Sequence, residues 1–182
     1  MNTFIALGIP KPAAAVLTAA LEAYKGKLAT RTPEEKWHMT LVFLSDAAFS
    51  AEAIQKIQEP LHSAYLPAIT ILSLGAALPA GRQEGTGQLW AHVHATPALI
   101  QVRAILIDRL TQSGIAIPEQ ELSREFTPHI NLGDSSSANG AIGISDTPAK
   151  ITFAVKEALV LRSISKGDTT MYEKIATIPL VP

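Results

Sequence analysis

Two four-residue segments of the chain carry the residue types best suited to acid–base chemistry. They read His38-Met39-Thr40-Leu41 and His129-Ile130-Asn131-Leu132, one in each half of the 182 residues. Both follow the order histidine, apolar, small polar, apolar. Alternate side chains of a β-strand share a face, so each histidine is expected to lie beside its polar partner. The apolar residues of each tetrad then point the other way, into a core.

Two such strands side by side would form a pocket with two imidazoles and two neutral hydrogen-bonding groups. A neutral imidazole can take a proton from an attacking water, while an imidazolium gives one to the leaving oxygen. The Thr40 hydroxyl and the Asn131 amide can bind non-bridging phosphate oxygens. The attacking and leaving oxygens lie in line across phosphorus, so acid and base must act from opposite sides. The pattern therefore predicts phosphoryl transfer without a metal. The alternative is that both histidines are packed strand residues with no catalytic role.

The composition removes several other chemistries. The chain has no cysteine, which excludes disulfides, zinc fingers, iron–sulfur clusters and thiol nucleophiles. Its 15 Lys+Arg against 16 Asp+Glu give a formal charge of -1, which argues against broad charge-driven binding of nucleic acid. Aromatic residues make up 5%, so few platforms exist for stacking a long single strand. A small focused phosphate site remains compatible with all of this.

Other candidate residues lie outside the tetrads. His92 and His94 share a predicted strand face and could ligate a metal, but no third ligand is evident. We therefore expect neither a metal nor a cofactor. Trp37 and Phe43 alternate with His38 along the strand, which predicts core positions for both. Tyr172 is the better candidate for contact with a substrate.

The chain shows a strand–helix–strand–helix pattern twice, with extra strands at the end. Strands are predicted over 4–9, 37–44, 68–74, 89–95, 128–132, 151–164 and 171–180; helices are predicted over 12–24 and 50–65, and from 97 with Thr96 as N-cap and Gly114 as terminator; loops are predicted over 80–87 and 133–140. No low-complexity linker divides the chain. We predict an α+β fold over residues 1–182, a single domain of two pseudo-symmetric lobes with antiparallel sheets and a central cleft.

Two apolar segments could be mistaken for targeting or membrane-spanning sequences. Residues 13–20 follow Pro10 and Pro12 and have no preceding basic stretch, unlike a signal peptide. Residues 60–81 contain no Asp, Glu, Lys or Arg, but Pro67, Gly75 and Pro79 interrupt them. A buried strand between turns is the better interpretation. The sequence predicts a soluble, cytoplasmic protein.

The residues around the tetrads resemble a known superfamily. Residues 37–44, WHMTLVFL, are similar to the first signature of the 2H phosphoesterases, and residues 126–132, FTPHINL, to the second. Residues 4–7 and 159–180, with Ser163, Gly167 and Tyr172, resemble the branch called 2'-5' RNA ligase or RNA 2',3'-cyclic phosphodiesterase. The resemblance spans nearly the whole chain in the expected order.

That resemblance implies a bilobal α+β fold and a metal-independent cyclic phosphodiesterase. The implied reaction hydrolyses a 2',3'-cyclic phosphate, on an RNA end or a small nucleotide, to a 2'-phosphomonoester. The resemblance also implies a weak 2'-5' ligation of RNA ends. By position, His38 and His129 carry the acid–base roles and Thr40 contacts phosphate. The alternatives are a phosphodiesterase for other small nucleotides, such as 2'-5' oligoadenylates or cyclic oligonucleotides, and a catalytically weak nucleotide- or RNA-binding module. Neither a membrane nor a protein partner is implied.

Two positions depart from the superfamily pattern. Asn131 stands where the second signature usually has Thr or Ser, although an amide can still donate to phosphate. Asp134 stands where the RNA-acting branch often has Arg, and its charge would oppose a phosphate if it faced the cleft. The phosphate-binding cation is then expected elsewhere, with Arg124 as first candidate. The other candidates are Arg31, Lys36 and Arg162.

Overall fold

The computed structural model describes residues 2–44, 52, 54–55, 68–77, 87–134, 147–167 and 169–180. Its strands are β1 (Asn2–Gly8), β2 (Thr30–Arg31), β3 (His38–Leu44), β4 (Ile69–Ala77), β5 (Gln88–Val93), β6 (His129–Asp134), β7 (Thr147–Phe153), β8 (Glu157–Lys166) and β9 (Thr169–Pro179). Its helices are α1 (Lys11–Leu21), α2 (Pro97–Gln112) and α3 (Glu119–Ser123), with single 3-10 turns at Glu22–Tyr24 and Glu34–Lys36. The helix predicted over 50–65 and the loops predicted over 80–87 and 133–140 fall mostly outside the described residues.

The strands pair antiparallel in the order β7-β4-β5-β6-β3-β1-β8-β9, with β2 beside β6. They form two groups, β7-β4-β5-β6 and β3-β1-β8-β9. The groups meet at β3 and β6 through one pair of residues, Met39 and Ile130. The predicted α+β class with antiparallel strands is confirmed. The two groups belong to one continuous sheet rather than to the two sheets predicted, because β3 and β6 pair here. The two tetrads therefore lie side by side on neighbouring strands where the two groups meet.

Helix α2 follows the prediction closely. The Thr96 side chain accepts a hydrogen bond from the Leu99 backbone N–H at 3.3 Å, which caps the first turn. The side chains buried along one face are Leu99, Val102, Leu106 and Leu110. Gly114 has a φ of 74°, which suits the residue after a helix C-terminus because glycine has no Cβ to clash. Among the helices of the described segments, none is long and apolar enough to cross a membrane.

A β-bulge interrupts each tetrad strand at the same place. In β3, Thr40 pairs with Ala6 and Val42 pairs with Ile5, so Leu41 is an extra residue. In β6, Asn131 pairs with Trp90 and Gly133 pairs with Leu89, so Leu132 is extra. An extra residue shifts the alternation of side chains by one position. The fifth residue after each histidine, Phe43 or Asp134, therefore returns to the histidine's face of the strand.

This shift corrects one sequence prediction and leaves another intact. Phe43 was expected in the core because an unbroken strand would turn it away from His38. Instead it is 37% exposed and lines the same cleft. Trp37, which precedes the bulge, is buried as predicted, and its Nε1 donates to the Thr32 carbonyl at 2.9 Å.

Each bulge carbonyl has a dedicated hydrogen-bond donor. The Leu41 carbonyl accepts from Nε of Arg103 on α2 at 3.0 Å. The Leu132 carbonyl accepts from the Thr32 backbone N–H at 3.0 Å. Arg103 also donates to Oε1 of Glu121 at 2.9 Å, and the Glu121 side chain is 4% exposed. The first bulge is thus tied to a buried ion pair behind the cleft.

We predict that Arg103→Leu lowers the free energy of unfolding by about 3 kcal/mol, because it removes one partner of a buried ion pair and the donor to the Leu41 carbonyl. Urea unfolding measures the loss. Arg109→Leu, an exposed arginine on the same helix, is the matched control and should change stability by less than about 0.5 kcal/mol. Equal losses in the two variants would contradict a role for Arg103 at the bulge.

Candidate active site

A cleft of about 630 Å³ opens where β3 and β6 meet. It is lined by both histidines and by polar, cationic and aromatic side chains from several elements: Thr30, Arg31, Thr32, Pro33, Lys36, His38, Thr40, Phe43, Gln88, His129, Asn131, Asp134, Thr170 and Tyr172. Five of the six predicted site residues are in this set, and the sixth, Arg124, is not among the lining residues. Sequence positions far apart in the chain therefore share one cavity.

The register between β3 and β6 relates the two tetrads by an approximate two-fold axis. Because Met39 pairs with Ile130 in antiparallel strands, His38 lies across from Asn131 and Thr40 lies across from His129. Each imidazole is thus next to the polar residue of the other tetrad. A phosphate on the axis would have one imidazole and one neutral donor on each side.

The backbone fixes the tautomer of both imidazoles in the same way. Nδ1 of His38 lies 2.7 Å from the Lys36 carbonyl, and Nδ1 of His129 lies 2.8 Å from the Thr127 carbonyl. A carbonyl oxygen only accepts, so Nδ1 carries the proton in each ring. Nε2 is then the atom that gains or loses a proton at a bound ligand. In both cases the carbonyl belongs to the residue two positions earlier, which reproduces the symmetry of the tetrads.

Aromatic rings hold the planes of the two imidazoles. Phe4 stacks on His38 with a centroid distance of 4.9 Å and an interplanar angle of 30°. Tyr172 meets the same imidazole edge-on at 5.0 Å. On the other side, Trp90 stacks on His129 at 3.5 Å and 14°. A carbonyl holds the Nδ1 edge of each imidazole and an aromatic ring covers one face. Together these contacts fix the direction in which Nε2 points.

Burial lowers the pKa of His38, and the bond to the Lys36 carbonyl offsets this in part. Burial also lowers the pKa of His129, against the effect of the Thr127 carbonyl, and the positive charges of Arg124, His92 and His38 lower it further. These effects favour the neutral form of both imidazoles in the free protein. A bound anion would favour the protonated form of either ring.

The remaining polar groups of the cleft are oriented by their neighbours. Oδ1 of Asn131 accepts from the Gly133 backbone N–H at 3.1 Å, so the Nδ2 group is the end of the amide that can donate to a ligand. Burial raises the pKa of Tyr172, which keeps its phenol protonated and able to donate. Asp134 faces the cleft, and its carboxylate accepts from Thr30 at 3.1 Å and from Gln88 at 3.0 Å.

Among the cation candidates, Arg31 and Lys36 line the cleft. Arg124 borders it: its Nη2 lies 2.6 Å from Oε2 of Glu121, and its guanidinium lies over the Phe43 ring at 5.4 Å. Its effect on the pKa of His129 still places its charge near the site. Arg162 pairs with Glu173 at 3.4 Å and is not among the lining residues.

The second histidine pair has a different placement from the one expected. His92 lies in β5 directly opposite His129, whereas β5 ends at Val93 and His94 follows it. Within the described ranges, no group of three His, Asp or Glu side chains is placed to hold a metal ion.

Sequence reasoning missed several contributors to the site, among them Phe4, Gln88 and Trp90. Gln88, Trp90 and His92 alternate along β5, and this period of two was a usable signal for one shared face. Their proximity to His129 depends on the β5–β6 register, and the contact of Phe4 with His38 depends on the β1–β3 register. Neither register can be read from one strand alone.

Arg124→Met should raise the pKa of His129 and leave that of His38 unchanged, because the arginine charge opposes protonation of His129 only. Titration of the histidine Hε1 resonances by NMR measures both values. Arg162→Met is the control, since that arginine is paired with Glu173 on the outer strands. An unchanged or lower pKa of His129 in Arg124→Met would contradict this placement of the charge.

Comparison with known proteins identifies the fold. No protein-family model and no curated protein matches the sequence. TT0787 of Thermus thermophilus is 18% identical with a TM-score of 0.75, covering 99% of this chain and 98% of that one. E. coli LigT complexed with ATP is 19% identical with a TM-score of 0.67, covering 100% and 98%. Usb1 of Kluyveromyces marxianus is 13% identical with a TM-score of 0.51, covering 98% of each. The chain therefore has the LigT-like fold that the resemblance of its two tetrads implied.

Proposed function

We propose that this chain is a 2H phosphoesterase that hydrolyses 2',3'-cyclic phosphates to 2'-phosphomonoesters by acid–base catalysis with two histidines. One observation carries the proposal: two imidazoles related by an approximate two-fold axis line the same cleft, each with Nδ1–H tied to a backbone carbonyl. That arrangement supports proton transfer at Nε2 from opposite sides of a phosphate, as an in-line displacement requires.

In the proposed reaction, one neutral imidazole removes a proton from water as the water oxygen bonds to phosphorus. The bond from phosphorus to the 3'-oxygen breaks, and the other imidazole, protonated, gives its proton to that oxygen. The product carries a 2'-phosphate and a 3'-hydroxyl. The two imidazoles end with exchanged protonation states and are reset by exchange with solvent. Thr40 and Asn131 donate to the non-bridging oxygens, where negative charge builds up.

The walls of the cleft support a nucleotide as substrate. A volume of about 630 Å³ lies in the usual range for small-molecule sites. Phe43 and Tyr172 offer rings on which a base can stack, and Arg31 and Lys36 offer positive charge. LigT, with the same fold, has been solved with ATP, with 3'-AMP, with NADP+ and with phosphate.

A short substrate is favoured over a long RNA. The Asp134 carboxylate forms part of the cleft wall and the chain carries a formal charge of -1, so extended contact with a polyanion has little support. The second candidate function is therefore a phosphodiesterase for other small nucleotides, such as 2'-5' oligoadenylates or cyclic oligonucleotides. Weak 2'-5' ligation of RNA ends would use the same ring opening with the 5'-hydroxyl of a second RNA in place of water. Its oxygen bonds to phosphorus, the bond from phosphorus to the 3'-oxygen breaks, and the protonated imidazole gives its proton to the 3'-oxygen.

The direct test incubates the pure protein and EDTA with 2',3'-cyclic AMP, a short RNA ending in a cyclic phosphate, or a 2'-5' oligoadenylate, and identifies the product isomer by ³¹P NMR. His38→Ala and His129→Ala should each lower the rate roughly 10²–10⁴-fold, the usual contribution of a positioned acid or base. His94→Ala, which alters a histidine beyond the end of β5, is the control and should keep the wild-type rate. Absence of turnover on every substrate would overturn the enzyme proposal and leave a nucleotide-binding module.

The pH dependence of kcat/KM should have its maximum on the acidic side of neutrality. The reaction needs one imidazole protonated and the other neutral, and this state is most populated between the two pKa values. Burial lowers both pKa values from the ordinary histidine range in the free protein, so the productive fraction falls as the pH rises through neutrality. Steady-state rates from about pH 5 to about pH 8 measure this. A maximum above neutrality would contradict the shared-proton mechanism.

A further inference from the structure

A hydrogen-bonded relay runs from the cleft wall to the ring that covers His129. Oδ1 of Asp134 accepts from Nε2 of Gln88 at 3.0 Å, and Oε1 of Gln88 accepts from Nε1 of Trp90 at 3.0 Å. Trp90 then stacks on His129 with ring centroids 3.5 Å apart. From this we propose that Asp134 is a positioning residue, which acts through Gln88 and Trp90 to hold the plane of the His129 imidazole. The proposal rests on the function proposed above for its effect on rate.

The carboxylate determines which way the Gln88 amide points. Gln88 is only 9% exposed, and its amide has a donating and an accepting end. With the acceptor-only carboxylate on one side, the Nε2 end must face Asp134 and the Oε1 end must face the indole. The reverse orientation would set two N–H groups against each other and two oxygens against each other. By accepting from Nε2, the Asp134 oxygen thus leaves Oε1 of Gln88 as the acceptor for Trp90, two residues away on β5.

Trp90 needs this anchor because it is only partly buried. On the other side of the cleft, Phe4 is 2% exposed and packs against Ala6 and Leu161, so packing alone holds it on His38. Neighbouring side chains do not fully bury Trp90, so its ring position depends on the hydrogen bond from Nε1 to Gln88. The two imidazoles are therefore held by different means, one by packing and one by the relay.

The relay also explains why the Asp134 carboxylate can lie in a cleft proposed to bind phosphate. The bulge at Leu132 brings Asp134 to the cleft face, where Oδ2 accepts from Thr30 at 3.1 Å and Oδ1 serves Gln88. Both oxygens are thus engaged by protein donors, and this reduces the repulsion that a bound phosphate would experience. At this position the resembling branch often has arginine, so here the residue supports a histidine rather than the substrate.

NMR tests the relay without any substrate. Asp134→Ala and Gln88→Met should each move the Trp90 indole N–H resonance upfield and speed its exchange with water. In both variants the His129 ring protons should lose part of the shielding they receive from the stacked indole. Asp134→Asn keeps an acceptor for Gln88 while removing the charge, so both signals should stay near their wild-type positions. Asp108→Ala, on the far exposed face of α2, is the control for general effects of losing a carboxylate.

Steady-state kinetics of the same variants distinguish a positioning role of Asp134 from a purely structural one. Asp134→Ala and Gln88→Met should each lower kcat about tenfold with KM changed less than about twofold, within the loss expected for a slightly misplaced catalytic group. The double variant should be no slower than the slower single variant, because both act through one relay. Additive losses, or an unchanged indole resonance in Asp134→Ala, would overturn the proposal. If the wild type turns over nothing, the proposed function falls, while the indole and imidazole signals still decide whether the relay exists.

Discussion

One extra residue in each of two strands determines what the cleft contains. Without the bulges at Leu41 and Leu132, strict alternation would turn Phe43 and Asp134 away from the histidines. With them, Phe43 and Asp134 join the histidine and the polar residue of their own strand at the cleft. The bulge carbonyls are held by Arg103 and by the Thr32 backbone, so the shift is built into the packing behind the site. Bulges are common next to active sites for this reason.

The same symmetry governs the chemistry of the imidazoles. Each donates from Nδ1 to the carbonyl two residues earlier, each is covered by an aromatic ring, and burial lowers the pKa of each. The symmetry is broken by what surrounds the rings. His129 has Arg124 and His92 nearby and a hydrogen-bonded indole above it, whereas His38 lies among Phe4 and Tyr172. Positive charges therefore oppose protonation of His129, whereas burial alone lowers the pKa of His38.

Much of this site was predictable from local pattern, and the rest depended on pairing between strands. The tetrads placed His38, Thr40, His129 and Asn131 on one face, and strict alternation holds there because each histidine and its polar residue precede the bulge. Helix α2 was predictable because Thr96 and Gly114 are local end signals. Phe43 was predicted wrongly because a bulge is not visible in one strand, and the contact of Trp90 with His129 required the register of β5 against β6. Arg124 was expected to face phosphate, but Glu121 holds it beside the cleft.

The proposed mechanism requires that His38 and His129 hold one phosphate between them. Its most direct test is a titration of the protein with inorganic phosphate, following the Hε1 resonances of both histidines by NMR. Two imidazoles on either side of one anion should shift together along a single binding curve, and the pKa of each should rise as the anion stabilises its protonated form. If only one histidine responds, or if the two follow different binding curves, the histidines do not share a phosphate site.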